Sequence, residues 1–435
     1  MFSLDRFWFR PSRKASRPLC VRAQYLLSCA LAPTLLFAQA SAPLSLVEAV
    51  RLAEQQAPAI EARRAAVEAA TDAIRPSGEL PDPELVAGID NLPVTTGDAF
   101  SLTKDFMTMR KVGVMQSFPR REKRELRSQR AEAMAEREQA LLTNQRLAVR
   151  EGTAKAWIAR LSAERRLALL QGLRPRAQAQ VDAAAAALSA GRSSAADGIA
   201  VQAARVMLED RIDQAQREVA DAHAEFARWL PDAMSRDLGD APNFADLGSD
   251  PDALLAHIGH HRELLAYDAA EQVATTDVAL ARAEKRPDWS FELDFAQRGP
   301  RYSNMVSLEL RVPLPLFAAH RQDPIIASKQ AALAQVQAER TDAERMHTAD
   351  VSKMLAAWRS AASRTQRYEK ELLPLGDARA DAALAAYRGG RAELQAALSA
   401  LDNAVEQRLA YIELVNTLGQ SWAALRFAYA NGEER

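Results

Sequence analysis

The side chains in this sequence with a capacity for chemistry are soft and acidic ones placed on short alternating segments. Met107, Met109 and Met115 share one phase of an extended stretch, opposite Val112 and Val114. Thioethers suit Cu(I) and Ag(I), and methionine is equally a flexible packing residue beside a loop. Glu84 and Asp90 fall opposite Leu85, Ala87 and Ile89. Glu292 and Asp294 alternate with Phe291, Leu293 and Phe295, and Glu309 alternates with Leu308 and Leu310. Rows of carboxylates favour cations over anions, although Lys111 and Arg311 share that phase. His257, His260 and His261 lie close together, the first and last spaced i, i+4 as on one helix face. No carboxylate or cysteine completes a ligand set in an obvious way, and a polar helix start explains them as well. There is no G-x-S-x-G, P-loop, H-E-x-x-H or dinucleotide fingerprint. The reading is a protein that is not an enzyme and needs no cofactor.

The elements that must position these residues begin after a leader. Arg6, Arg10, Arg13, Lys14, Arg17 and Arg22 precede the apolar run Tyr25 to Phe37, and Ala38-Gln39-Ala40 is a small-x-small cleavage site. Residues 1–40 are expected to be a signal peptide. Cys20 and Cys29 both fall inside it, so the mature chain is expected to lack disulfides and thiolate metal sites. Beyond residue 40 there are 50 Lys and Arg against 56 Asp and Glu, a net charge of −6. That argues against a nucleic-acid partner. No later stretch approaches the roughly 20 apolar residues of a spanning helix. Any membrane-embedded part must therefore be a β-barrel.

The sequence also repeats itself. Pro175 and Pro374 are 199 positions apart, and so are Asp182 and Asp381, Ala186 and Ala385, Gly191 and Gly390, and Arg192 and Arg391. Val112 to Pro119 parallels Val306 to Pro313. Residues 41–240 and 241–435 read as two copies of one plan: helix, strand pair, long helical hairpin. In the first copy the helix spans Ser45 to Ile74 and the first strand Glu84 to Asp90. The long helix runs from Arg120 to about Leu170, Pro175 interrupts it, and Gly191 turns it. In the second the helix spans Asp252 to Lys285, the strands alternate through Trp289–Phe295 and Val306–Val312, and the long helix runs from Ile325 to Leu373. Fifty helical residues span ~75 Å, more than a globular core needs. Four strands cannot close a barrel, so several chains must share one.

These segments resemble the TolC family of outer-membrane efflux ducts, and more closely its heavy-metal RND branch of CzcC- and CusC-like proteins. The matching residues are Pro81 to Leu85, Asp90 to Pro93, Asp105 to Arg110, Val112 to Gln116 and the tip Ala386 to Arg391. The resemblance implies a mainly α fold with a small β part. Duplicated long helical hairpins would form a periplasmic α-barrel, and four strands per chain would contribute to a trimeric 12-stranded outer-membrane β-barrel. It implies a homotrimer set in outer-membrane lipid that meets a periplasmic adaptor coupled to an inner-membrane RND transporter. It would export copper and silver, or cobalt, zinc and cadmium. In that frame Glu84, Asp90, Glu292, Asp294 and Glu309 face the lumen, and Met107, Met109 and Met115 make transient metal contacts there. Gly191, Arg192, Gly390 and Arg391 shape the tips and dock the adaptor. Asp197, six residues after Gly191, would ring the periplasmic entrance; its counterpart in the second repeat is Ala396. A multidrug or type I secretion channel is the alternative cargo, and a soluble periplasmic coiled-coil scaffold or pump adaptor is the alternative of another class.

Overall fold

A computed structural model of the chain describes residues 42–428, apart from Arg192, Ser249, His257, Gly259 and His260. Residues 1–40, expected to be a leader, Arg192 and two of the three clustered histidines lie outside those residues.

Ser45 caps the first helix, its Oγ accepting from the Glu48 N–H at 3.2 Å. The continuous helix expected over Ser45–Ile74 is broken. Pro58 forces Ala57 into an extended conformation, giving α1 (Leu46–Gln56), α2 (Pro58–Asp72) and the short α3 (Ile74–Gly78). β1 (Glu84–Asp90) and β2 (Met109–Phe118) follow. Next come α4 (Arg121–Gln171), α5 (Arg174–Ser189), with Pro175 tolerated in its first turn, and α6 (Ala195–Trp229). In the second half the helix expected over Asp252–Lys285 is also divided, into α7 (Ala253–Ala256) and α8 (Leu265–Ala283). The sequence between them carries Gly259 and three histidines, all poor helix formers, and His261 is extended at φ −67°, ψ 137°. β3 (Trp289–Gln297), β4 (Met305–Arg311), α9 (Gln322–Arg367), α10 (Leu373–Arg388) and α11 (Leu394–Ala423) complete the order. Pro374 leaves its mark one turn upstream, where Tyr368–Leu372 widens into a π turn. At the corresponding place in the first half, Gly172 and Leu173 separate α4 from α5 outright.

The strands form one antiparallel sheet in the order β1-β2-β3-β4. Its register runs Leu85↔Val114↔Leu293↔Leu308 on one face and Glu84↔Met115↔Glu292↔Glu309 on the other. The two halves are therefore joined in the sheet through β2 and β3. They are also joined in the helices, where α4 packs on α8 and α11 as well as on α6.

The main apolar cluster draws on both halves: Leu44, Trp157 and Phe226 with Phe244, Trp358 and Trp422. Two of its tryptophans do the same job in duplicate. The Trp157 indole N–H on α4 donates to the Leu44 carbonyl at 3.0 Å, and that of Trp358 on α9 donates to the Phe244 carbonyl at 2.9 Å. Each long helix thus holds the segment that leads into its own half. A third indole, Trp422, donates to the Asp246 carbonyl at 2.7 Å.

Candidate functional site

The sheet is inverted relative to that of a water-soluble protein. Its apolar face is the open one, with Leu85 75 % and Leu308 71 % exposed and Val114, Phe291, Leu293 and Phe295 alongside. Its polar face is the more covered one at β3, where Glu292 is 2 % exposed and Asp294 and Ala296 are buried, and it opens again along β4. A soluble antiparallel sheet buries its apolar side against a core; here nothing among the described residues covers it. β1 and β4 are the two edges of the sheet, and their backbone donors and acceptors need further strands wherever water is absent. No helix among the described residues is long and apolar enough to cross a membrane.

All five predicted carboxylates lie on the polar face. Register aligns Glu84, Glu292 and Glu309 in one row, with Asp294 in the next and Asp90 at the far end of β1. The cations sharing this face are paired. Arg311 places Nη2 2.7 Å from Glu292 Oε2 and Nε 2.7 Å from Glu309 Oε1. The first contact is an ion pair without the alignment of a hydrogen bond. Lys111 Nζ lies 3.4 Å from Asp90. Five carboxylates against two cations leave this face at −3 per chain.

The methionines divide. Met109 and Met115 are on the polar face of β2, and Met115 Sδ accepts from Arg311 Nη1 at 3.5 Å. Met107 does not share their strand phase. It precedes β2 in a loop, 47 % exposed, with its N–H donating to Asp105 Oδ1 at 2.6 Å. Met109 and Met115 are six strand residues apart, ~20 Å, so the three thioethers do not converge on one ion.

At the hairpin tips Gly191 has φ 69° and Gly390 φ 65°, a left-handed conformation that glycine adopts without a Cβ penalty. Their N–H groups close the turns onto Leu188 at 3.0 Å and Tyr387 at 2.9 Å, and the Arg391 N–H donates to Ala386 at 2.9 Å. Asp197 has a local task that spacing alone did not show. It is the third residue of α6, and Ser194 is the N-cap. Asp197 Oδ2 accepts from the Ser194 N–H at 2.9 Å and from Ser193 Oγ at 3.0 Å, while Ser194 Oγ accepts from the Asp197 N–H at 3.1 Å. This is a reciprocal capping box. The Ser194 backbone bond, with the Ser194 and Ser193 hydroxyls, holds the Asp197 carboxyl below the usual carboxylate range. In the second half Glu393 caps α11 with no side-chain bond and Ala396 stands at the third position. The asymmetry between Asp197 and Ala396 is therefore also an asymmetry of helix capping.

Behind the tips the two hairpins enclose a groove of about 750 Å³ between α5/α6 and α10/α11. Arg211 spans it, 3.0 Å from Asp402 and 2.9 Å from Glu406. At the opposite end, the basic start of α4 is tied to the second half. Lys123, 2 % exposed, reaches Glu284 at 2.9 Å and Asp288 at 3.0 Å, and the Arg120 N–H donates to Asp288 at 2.9 Å. Trp289 stacks on Phe118, ring centroids 4.3 Å apart.

The sequence reading also missed the partners of His261. Glu263, two residues on, and His347, on α9, bring their ligand atoms within 4.8 Å of one another and of His261.

No family model matches the chain, and no curated protein is significantly similar to it. Solved structures do share its fold. A membrane protein from Pseudomonas aeruginosa aligns over 90% of this chain and 91% of its own, with a TM-score of 0.78 at 17% identity. The outer membrane protein VceC of Vibrio cholerae aligns over 89% and 97%, at 0.73 and 16%. CusC, studied for its folding and transmembrane channel formation, aligns over 88% and 92%, at 0.72 and 14%. At such identities the likeness is one of fold, and it spans nearly the whole of each chain: long helices in two hairpins, built onto a four-stranded sheet.

Proposed function

We propose that this chain is one protomer of an outer-membrane duct. The observation that carries the reading is the inverted sheet, its apolar side open and its polar side buried along β3, with β1 and β4 as its two edges. Three copies joined edge to edge give twelve strands, an apolar band toward lipid and a polar lumen. The net −3 on the polar face becomes −9 per ring of three. Residues 1–40 direct export, and 41–240 and 241–435 are the two structural repeats. The helical hairpins extend into the periplasm as a second tube. Their tips, at Gly191, Arg192, Gly390 and Arg391, meet a periplasmic adaptor coupled to an inner-membrane RND transporter. The duct does no chemistry of its own. A soluble scaffold accounts for the helices and leaves the open apolar face unexplained.

The cargo that fits best is a heavy-metal cation. A lumen lined by Glu84, Asp90, Glu292, Asp294 and Glu309 attracts cations, and Met109 and Met115 offer separate weak contacts that suit Cu(I) or Ag(I). Met107, at a loop, would act at the outer mouth. The segments that resemble the heavy-metal branch support the same choice. Asp197 would add a ring of three charges at the entrance while also serving as a helix cap.

The test is the tolerance of a deletion strain against its complemented parent to copper, silver, zinc, cobalt, cadmium, nickel and a set of lipophilic drugs. Sensitivity to metals alone is expected. Sensitivity to drugs alone would move the cargo to the multidrug class and keep the duct. A protein that washes off membranes at high pH and forms no detergent-stable trimer would overturn the duct itself.

A further inference from the structure

Between α7 and α8, inside the second half, the chain makes a short 3₁₀ turn, Arg262–Leu264. His261 and Glu263 flank that turn, and His347 faces them from α9, 25 residues or about 38 Å along the helix from its start. His261 Nδ1 and His347 Nε2 are 2.7 Å apart with their rings perpendicular, and the Glu263 carboxylate completes a group whose donor atoms lie within 4.8 Å of one another. Ile258, Leu264 and Ala343, with Tyr267 packed against them, form a small apolar cluster separate from the main core in the same part of the chain.

We propose that His261, Glu263 and His347 form a binding site for a divalent transition-metal cation of the Zn²⁺ type. Two imidazoles and one carboxylate are a known zinc donor set, which leaves a fourth position for water. The same donors accept Co²⁺, Ni²⁺ and Cu²⁺, whereas Mg²⁺ and Ca²⁺ require oxygen ligands. The spacing agrees with a site that closes on its ion. Zn–N bonds of about 2.0–2.1 Å put tetrahedral ligand atoms ~3.3 Å apart. The two nitrogens must therefore open by about half an ångström and the carboxylate must move inward, which side-chain rotation supplies.

A structural histidine pair needs no third donor, so the carboxylate is the feature that the imidazole contact leaves unexplained. Glu263 Oε2 is buried and has no hydrogen-bond partner among the described residues. A buried carboxylate oxygen in that condition is costly unless a cation or proton meets it. The Glu263 carbonyl accepts from Asn144 Nδ2 on α4 at 3.3 Å, so a bound ion would fasten the turn before α8, already tied to α4, onto α9 as well. The inference is independent of what the protein transports.

The experiment uses the full chain purified in detergent, stripped with chelator and titrated with Zn²⁺ against a chromophoric competitor. One Zn²⁺ per chain is expected. His347→Gln and Glu263→Gln should each weaken binding by more than tenfold, since even outer-shell losses cost roughly 10–100-fold. His223→Gln serves as control: His223 pairs with Glu164 elsewhere, 2.9 Å away, and its loss should leave the affinity unchanged. Less than half an equivalent in the wild-type protein, or equal affinity in His347→Gln, would overturn the site. If the variants fold poorly, X-ray absorption at the zinc edge of the wild-type protein decides. Two imidazoles with oxygen are expected, and a shell with one imidazole or none would refute the assignment.

Discussion

Two glycines on the polar face of the sheet make a sharp test of its geometry. Gly88 on β1 and Gly113 on β2 both have backbone angles open to alanine; neither is among the glycines of positive φ. A Cβ on Gly88 would meet Lys111 Cε at 3.5 Å, an ordinary contact with a movable side chain. A Cβ on Gly113 would lie 2.6 Å from Asp294 Cβ, 2.6 Å from the Leu293 carbonyl oxygen and 2.8 Å from Asp294 Cα. Backbone atoms of a paired strand cannot step aside singly, so β2 and β3 must part by nearly an ångström where their ladder is continuous. Overpacking of this kind costs about 1–3 kcal/mol. Replacing glycine where alanine fits gains about 0.4–1 kcal/mol by restricting the unfolded chain. That gain is common to both variants, so Gly113→Ala should be the less stable of the two by the overpacking cost, about 1–3 kcal/mol per chain, and by three times that if three chains share the barrel. The assay is graded heating of each purified protein followed by electrophoresis without boiling. Gly113→Ala should lose its folded band well below wild type, and Gly88→Ala at or above it. Indistinguishable loss temperatures would mean that β2 and β3 do not approach as closely as the register Gly113↔Asp294 requires.

Other substitutions probe the remaining ties. Lys123→Met should destabilise the folded protein by about 2–3 kcal/mol, less than the 3–5 kcal/mol for stranding a fully buried charge, because Glu284 and Asp288 keep contact with water; the same heating assay reads it. Trp358→Phe strands the Phe244 carbonyl and should cost about 1–2 kcal/mol, with a matching loss for Trp157→Phe if the two indoles are equivalent. Burial would raise the Asp277 carboxyl, but Lys329 and Arg130 outweigh it and hold it below its ordinary 3.8. Its contribution is therefore present above that value and lost as pH falls through the lower folded one. Asp277→Asn should flatten the acid limb of a stability-versus-pH curve, and an unchanged limb would remove Asp277 from the acid response. Asp197→Asn should shift single-channel conductance or cation preference in a planar bilayer. Traces identical to wild type would leave the carboxylate as a helix cap and nothing more.

Local periodicity made much of this protein legible from its residues. The switch from period 3.6 to period 2 located the strands, and β1 falls on Glu84–Asp90 as read. Alternation assigned Glu292, Asp294 and Glu309 to one face, because a strand's two sides are fixed by residue parity. Pro175 and Pro374 marked the interruptions of both long helices, since a missing N–H acts on the preceding turn whatever surrounds it. The same local rules misjudged the helices over Ser45–Ile74 and Asp252–Lys285, where Pro58 and the histidine segment break a favourable pattern.

What only the tertiary structure decided depends on approaches between distant segments. Gly88 and Gly113 are alike in sequence, and only the separation of β2 from β3 distinguishes them. His261 looked incomplete because its partner His347 is 86 positions away, on another helix. Nothing in the sequence set Trp157 and Trp358 apart; that each donates to the segment entering its own half follows from where Leu44 and Phe244 are packed. Asp197 read as a charge near a tip, and the start of α6 made it a capping residue. Residue order fixes faces and interruptions, which are properties of one chain segment. Which side chains meet is a property of how segments pack, and that is set by the whole fold at once.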